Sequence, residues 1–292
     1  MTTAFNPTVE AVADLPQRDG FLRRYASNKA ALIGAIILAV LIVLAIAAPL
    51  LTPYNPADQD LSSAFLGPSW AHWFGTDNLG RDILTRIMYG GRYTLLIGVV
   101  AVAISTVIGV PIGLISGYYG AATDMVIQRF TDVLLSFNAF LLALILVAVL
   151  GVGMESVTIA AGIGVVPLFI RVARAEALSI RETDYVSAAI NFGTGALRIL
   201  WRHVLPNALT PIIVYATLNI GTTILVAAGL GFLGLGVQPP TPEWGSMLGE
   251  ARGYIFHAPL QMTFPGLAIF LAVLSFNLIG DGLRDALDPN LR

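Results

Sequence analysis

Stretches without charge divide this chain. Ionisable side chains are missing from residues 30–51, 93–123, 133–154, 156–170, 204–242 and, with His257 neutral, 253–280. A helix needs about 20 apolar residues to cross a bilayer. The pattern therefore predicts an all-α integral membrane protein with six transmembrane helices, the first over residues 30–51. The fourth stretch is short and has to extend through Arg171 and Arg174, whose long side chains can reach the interface. The fifth exceeds one helix, and its glycine-rich end predicts a departure from helical geometry. Ala45-Ile46-Ala47 resembles a signal-peptide cleavage site. However, 29 residues precede the apolar run and it continues to Leu51, so a retained first helix is expected.

Composition agrees with a lipid solvent. The chain is 56% hydrophobic and 12% charged, with a mean hydropathy of +0.78, whereas soluble domains carry roughly 25% charged residues. Cysteine is absent, which removes disulfides, thiolate metal sites and cysteine nucleophiles. His72, His203 and His257 fall in separate segments and form no metal-binding pattern. Lys29 is the single lysine and lies outside any glycine-rich phosphate loop. If ATP drives this protein, another chain hydrolyses it. No catalytic residue, bound cofactor or nucleic-acid partner is expected.

Orientation follows from the basic residues. Six spans put both termini on one side. With the ends in the cytoplasm, twelve of the sixteen basic residues lie inside, and Arg81, Arg86, Arg92 and Arg252 lie outside. The expected organisation is a cytoplasmic segment 1–29, the first helix 30–51 and an external loop 52–92. A core of 93–284 follows, with a cytoplasmic loop 175–203, and then a tail 285–292.

That cytoplasmic loop carries the strongest signal. Glu176 to Asn207 reads EALSIRETDYVSAAINFGTGALRILWRHVLPN. It is compatible with a helix that Gly193 ends or bends, then a basic amphipathic stretch from Ala196 to Val204. Pro206 comes next, at the start of the fifth span, where its missing N–H is tolerated. Two uses are open on composition: an interfacial helix pair on anionic lipid held by Arg198, Trp201 and Arg202, or docking to a partner through small residues.

The spacing of Ala188-Ala189, Gly193 and Leu205-Pro206 resembles the cytoplasmic signature of binding-protein-dependent ABC importers, E-A-A, three residues, glycine, nine residues, I-x-L-P. Ser187 stands at the glutamate and His203 at the isoleucine. Asp184-Tyr185-Val186 and the Arg202-to-Asn207 ending resemble the peptide-transporting branch. The resemblance implies a coupling helix, Asp184 to Gly193, that docks on an ATPase subunit. Over the 184–206 loop the implied coupling set is Asp184, Tyr185, Val186, Ser187, Ala188, Ala189, Gly193, His203, Leu205 and Pro206.

Two further blocks fit the same family. In GTDNLGRDILTRIMYGGRYTL, residues 75–95, Arg81, Asp82 and Arg86 lie within one and a half helical turns and can pair at i, i+4. They form either a charge-paired surface helix or, with Asp77 and Arg92, a contact for a solute-binding protein or sister permease. In GLGFLGLGVQPPTPEWG, residues 229–245, glycine and proline exclude a regular lipid-facing helix. Irregular backbone at membrane depth belongs against protein or a water-filled cavity. Gly229, Gly231, Phe232, Gly234, Gly236, Gln238, Pro239, Pro240, Glu243 and Trp244 are therefore expected at the external mouth of a pathway, with close small-residue packing equally compatible. The terminal GDGLRDALDP run is expected to anchor the chain at the cytosolic surface.

The resemblance spans about Ser27 to Leu291 and is to the second permease of dipeptide and oligopeptide uptake systems. It implies a five-helix core with the first helix outside it and a homologous second permease. It also implies two ATPase subunits that hold ATP and magnesium, and an extracytoplasmic solute-binding protein. Peptides are the expected cargo, with glutathione, nickel chelates and oligosaccharides open. A proton-coupled transporter would keep acidic or histidine relays inside its spans, and the apolar stretches hold none except near their ends.

Overall fold

The computed structural model describes residues 21–287; the spans are helical, and among the described residues there is no strand beyond an isolated Thr76–Asp82 bridge. A short α1 (Phe21–Ser27) leads into α2 (Lys29–Leu51). Asn28 caps α2, its Oδ1 accepting from the Ala31 N–H at 3.1 Å. Only small residues of α2 are buried, among them Ala31, Gly34, Ala45 and Ala48. Ile33, Ile36, Val43, Ile46 and Leu50 remain more than half exposed. This is the surface of a peripheral helix whose large apolar side chains point away from the chain, with α11 (Leu260–Leu287) and α3 (Ile83–Tyr119) behind it.

The most extensive helix contact joins α3 to α6 (Met154–Arg181). Gly109, Gly113 and Gly117 recur every four residues on α3 and form its meeting face. A methyl group on Gly113 would sit 2.4 Å from the Ile170 carbonyl oxygen, and on Gly117 2.6 Å from that of Arg174. Small residues at this period let two backbones approach closely in an apolar solvent. The hydroxyl of Ser105 crosses the same seam to Gly162 O at 2.6 Å.

The third predicted span differs from expectation. Residues 133–154 are divided between α4 (Ala121–Leu135) and α5 (Ala139–Leu150), bent by 88°. Twelve residues of α5 rise about 18 Å, short of the hydrocarbon thickness. The break follows Ser136, and Asn138 starts α5 by accepting from the Phe140 N–H at 2.9 Å. α4 carries Asp124 and Asp132, which pair with α6: Arg174 bridges Asp124 through two nitrogens at 2.6 Å, and Arg171 reaches Asp132 at 2.7 Å. These arginines are ion-paired within the protein.

α6 leads to α7 (Asp184–Asn191). A continuous run then begins with α8 (Ala196–Ile199) and ends with α9 (Leu205–Phe232). Residues Leu200–Val204 between them form a π-turn. Pro206 therefore sits inside a continuous helix, where the sequence predicted a helix start. Its ring and missing N–H disrupt the ordinary register, and the Leu205 N–H bonds instead to Leu200 O, five residues back. The Asn207 side chain donates to His203 O at 2.6 Å. At the opposite end of the bundle α10 (Trp244–Ala251) folds back onto α9 and α3 before α11. α3 begins ten residues earlier than the expected limit of the loop, and α11 extends to Leu287. Residues 1–20 of the expected N-terminal segment and 288–292 of the tail lie outside the described residues.

Candidate functional site

α7 is a short helix with a defined stop. Gly193 has φ +77°, a conformation that costs glycine little. The Gly193 N–H bonds to Ile190 O and the Thr194 N–H to Ala189 O, the paired closure that ends a helix on a left-handed residue. Asp184 lies in its first turn, where a negative charge favours the helix dipole.

The sides of α7 differ. Val186 is fully buried in the cluster formed with Ile180, Ile199, Leu200 and Val204, and Ala189 packs against it. Val186 therefore fastens α7 to its own chain and is not available to a partner, a correction to the implied coupling set. Leu205 also packs on this cluster, and His203 is half-buried with its ring 6.2 Å from that of Tyr185. Asp184, Tyr185, Ser187, Ala188, Gly193 and Pro206 are exposed. So is Phe192, at 89%, which the motif spacing did not single out. Tyr185, Ala188 and Phe192 stand at i, i+3 and i+7 and share one face.

At the other end, the residues expected to meet a partner are largely enclosed. Arg81 and Arg86 are 2% and 1% exposed, and Asp77 and Asp82 are also buried. Arg81 pairs with Asp77 through Nε at 2.6 Å and with Glu250 Oε2 at 2.6 Å. Arg86 Nη2 shares that same Glu250 oxygen at 3.1 Å, and its Nη1 donates to Pro56 O at 3.1 Å. Asp82 caps α3, accepting from the Thr85 N–H and hydroxyl at 2.7 Å, and faces His72 Nδ1 at 3.0 Å. The expected surface helix is thus a loop that ends at the cap of α3, with Arg86 in the first turn of that helix, and the two buried arginines pair across the fold to Glu250 of α10. Arg92 alone of the five is exposed. Its guanidinium donates to Ala45 O at 2.6 Å and Ile46 O at 3.0 Å. Pro49 cannot donate to Ala45 O, and Arg92 supplies the missing proton.

The glycine-proline segment is also mostly structural. Gly229, Gly231 and Phe232 lie within α9. Methyl groups at Gly231 and Gly245 would meet Glu243 Oε2 at 2.6 Å and the Ala228 backbone at 2.5 Å, and Gly236 packs on Gly231. Glu243 and Trp244 are each 2% exposed, so neither lines an open passage. The Glu243 carboxylate accepts from the Gly245 and Ser246 N–H groups at 2.8 Å and the Thr94 hydroxyl at 2.9 Å. Burial pushes its pKa up, against these donors. Trp244 lies over Gly90 and Gly91 and donates to Ile87 O at 2.8 Å. Gly234, Gln238, Pro239 and Pro240 are exposed. Among the described residues no group of three histidine, cysteine or acidic side chains could hold a metal ion.

Comparisons with known proteins identify the family. Residues 109–292 match the family described as binding-protein-dependent transport system inner membrane component. Residues 17–68 match the N-terminal transmembrane domain of oligopeptide transport permease C. The chain is 49% identical to the dipeptide transport system permease protein DppC of Alkalihalophilus pseudofirmus, over 98% of this chain and 94% of that protein. It is 44% identical to the glutathione transport system permease protein GsiD of Pectobacterium atrosepticum, over 93% and 91% respectively. A chain of the MetNI methionine ABC transporter, in an inward-facing conformation, shares the fold with a TM-score of 0.59. That match has 19% identity and covers 70% of this chain and 97% of that one.

Proposed function

From the premise that this chain belongs to the binding-protein-dependent transport system inner membrane components, we propose that it is one of two permease subunits of an ATP-driven importer of di- and oligopeptides. The observation that carries the mechanism is α7, a stopped helix fastened inward by Val186, with Tyr185, Ala188 and Phe192 facing out. Such a helix can seat in a groove of an ATPase subunit. The continuous α8–α9 run behind it would carry that subunit's motion into the bundle as a rigid-body movement. ATP and magnesium bind on the ATPases, since no phosphate loop exists here. A homologous permease completes the passage, a solute-binding protein delivers cargo at the α10 end, and α7 and both termini lie in the cytoplasm.

Peptide cargo is supported by the dipeptide permease relative, and the glutathione permease relative supports a peptide-like thiol as the second reading. Affinity purification of the tagged chain from solubilised membranes is expected to recover a second permease and ATPase subunits. Phe192→Asp is expected to remove the ATPases while retaining the second permease. A chain that purifies alone and transports without ATP would overturn the proposal.

A further inference from the structure

Two adjoining cavities lie at the α7 end of the bundle. One is an apolar groove of about 370 Å³ between α3 and the α8–α9 run, lined by Val107, Val110, Leu114, Leu200 and Leu209 among others. Thr106 and Trp201 carry the polar side-chain atoms on its wall, and the Thr106 hydroxyl donates to Val102 O at 2.8 Å. Apart from the indole N–H of Trp201, the groove therefore offers hydrocarbon. The second cavity, of about 1030 Å³, is lined by Arg198, Arg202, Pro206 and Tyr119. Leu197 and Trp201 line both, so the apolar slot opens directly onto the basic one.

Charge bookkeeping separates these arginines from their neighbours. Arg171 and Arg174 at the same end are paired to carboxylates. Arg198 and Arg202 are exposed, one helical turn apart, and have no ion-pair or hydrogen-bond partner among the described residues. No acidic residue lines either cavity. Two unpaired guanidiniums beside an interfacial tryptophan, above a slot that takes hydrocarbon, match an amphiphile with an anionic head.

We propose that this paired cavity binds one anionic phospholipid, its phosphate held by Arg198 and Arg202 and one acyl chain lying between α3 and α9. The site adjoins the exposed face of α7 and is distinct from it, so the assignment does not depend on ATPase docking. Bound lipid would brace the π-turn that joins α8 to α9.

The test is native mass spectrometry of the full chain, with its co-purifying partners, taken from vesicles of equal phosphatidylglycerol and phosphatidylcholine. Retention of phosphatidylglycerol over phosphatidylcholine is expected. It should fall about 25-fold in Arg198→Gln/Arg202→Gln, equivalent to about 1 kcal/mol for each basic side chain. Val107→Trp, which fills the groove and leaves both arginines, should also abolish retention, and soluble glycerol phosphate should not displace the lipid. Equal retention of the two lipids, or retention unchanged in the arginine variant, would overturn the assignment. So would cross-linking of Ile115→Cys to a second permease chain, because protein would then occupy the groove.

Discussion

Glu250 accepts from two buried guanidiniums on a single oxygen, and its removal leaves both arginines with Asp77 as their one remaining acidic partner. Stranding a buried charge costs about 3–5 kcal/mol. Glu250→Ala is therefore expected to lower the thermal unfolding midpoint in detergent sharply, with Glu250→Gln recovering part of the loss through its amide oxygen. Glu243 gives a prediction in pH. Its folded pKa is raised by burial above its ordinary 4.5. The stability linked to its protonation is thus fully present below about pH 4.5 and is lost as pH rises through the folded value. Unfolding midpoints of the wild type and Glu243→Gln, measured from pH 4 to 8, should differ most in favour of the wild type at the acid end and converge upward. A flat difference would refute this assignment.

The α3–α6 seam depends on three glycines that meet the facing backbone. Gly113→Val places its branch against Ile170 O and Ala173, so the helices must separate along their length. The expected result is loss of monodisperse chain in detergent, whereas Gly195→Ala, which meets nothing within 4 Å, should purify normally. At this scale the sequence was partly readable. The charge-free stretches located α2, α6, α9 and α11 because lipid enforces apolarity. They could not locate the α4–α5 break, because Asp124 and Asp132 are neutralised by arginines some 40 to 50 residues away. They also misread Pro206, because a π-turn absorbs a proline that ordinary helical register would exclude. The end of α7 was legible through Gly193, a residue suited to positive φ.

For the molecule as a whole, the family and the helical class were readable because motif spacing and hydropathy are local. The pairing of Arg81 and Arg86 with Glu250 of α10 was not. Glu250 lies 169 residues from Arg81 and 164 from Arg86, and no period or motif links them. Val186 posed the same difficulty: its sequence motif implies contact outward, while its burial depends on Ile199 and Val204 from a later segment.

The Arg81–Glu250 connection also sets an order for assembly. Synthesis runs from the N-terminus, so both arginines leave the ribosome long before their shared carboxylate. Through that interval they are solvated by water or held by Asp77 alone, and the loop that carries them is incomplete. The arrival of α10 converts a provisional hairpin of early helices into a closed cap. The last third of the chain therefore acts as a latch on the first third, and a nascent protein arrested before residue 250 would be released unlatched.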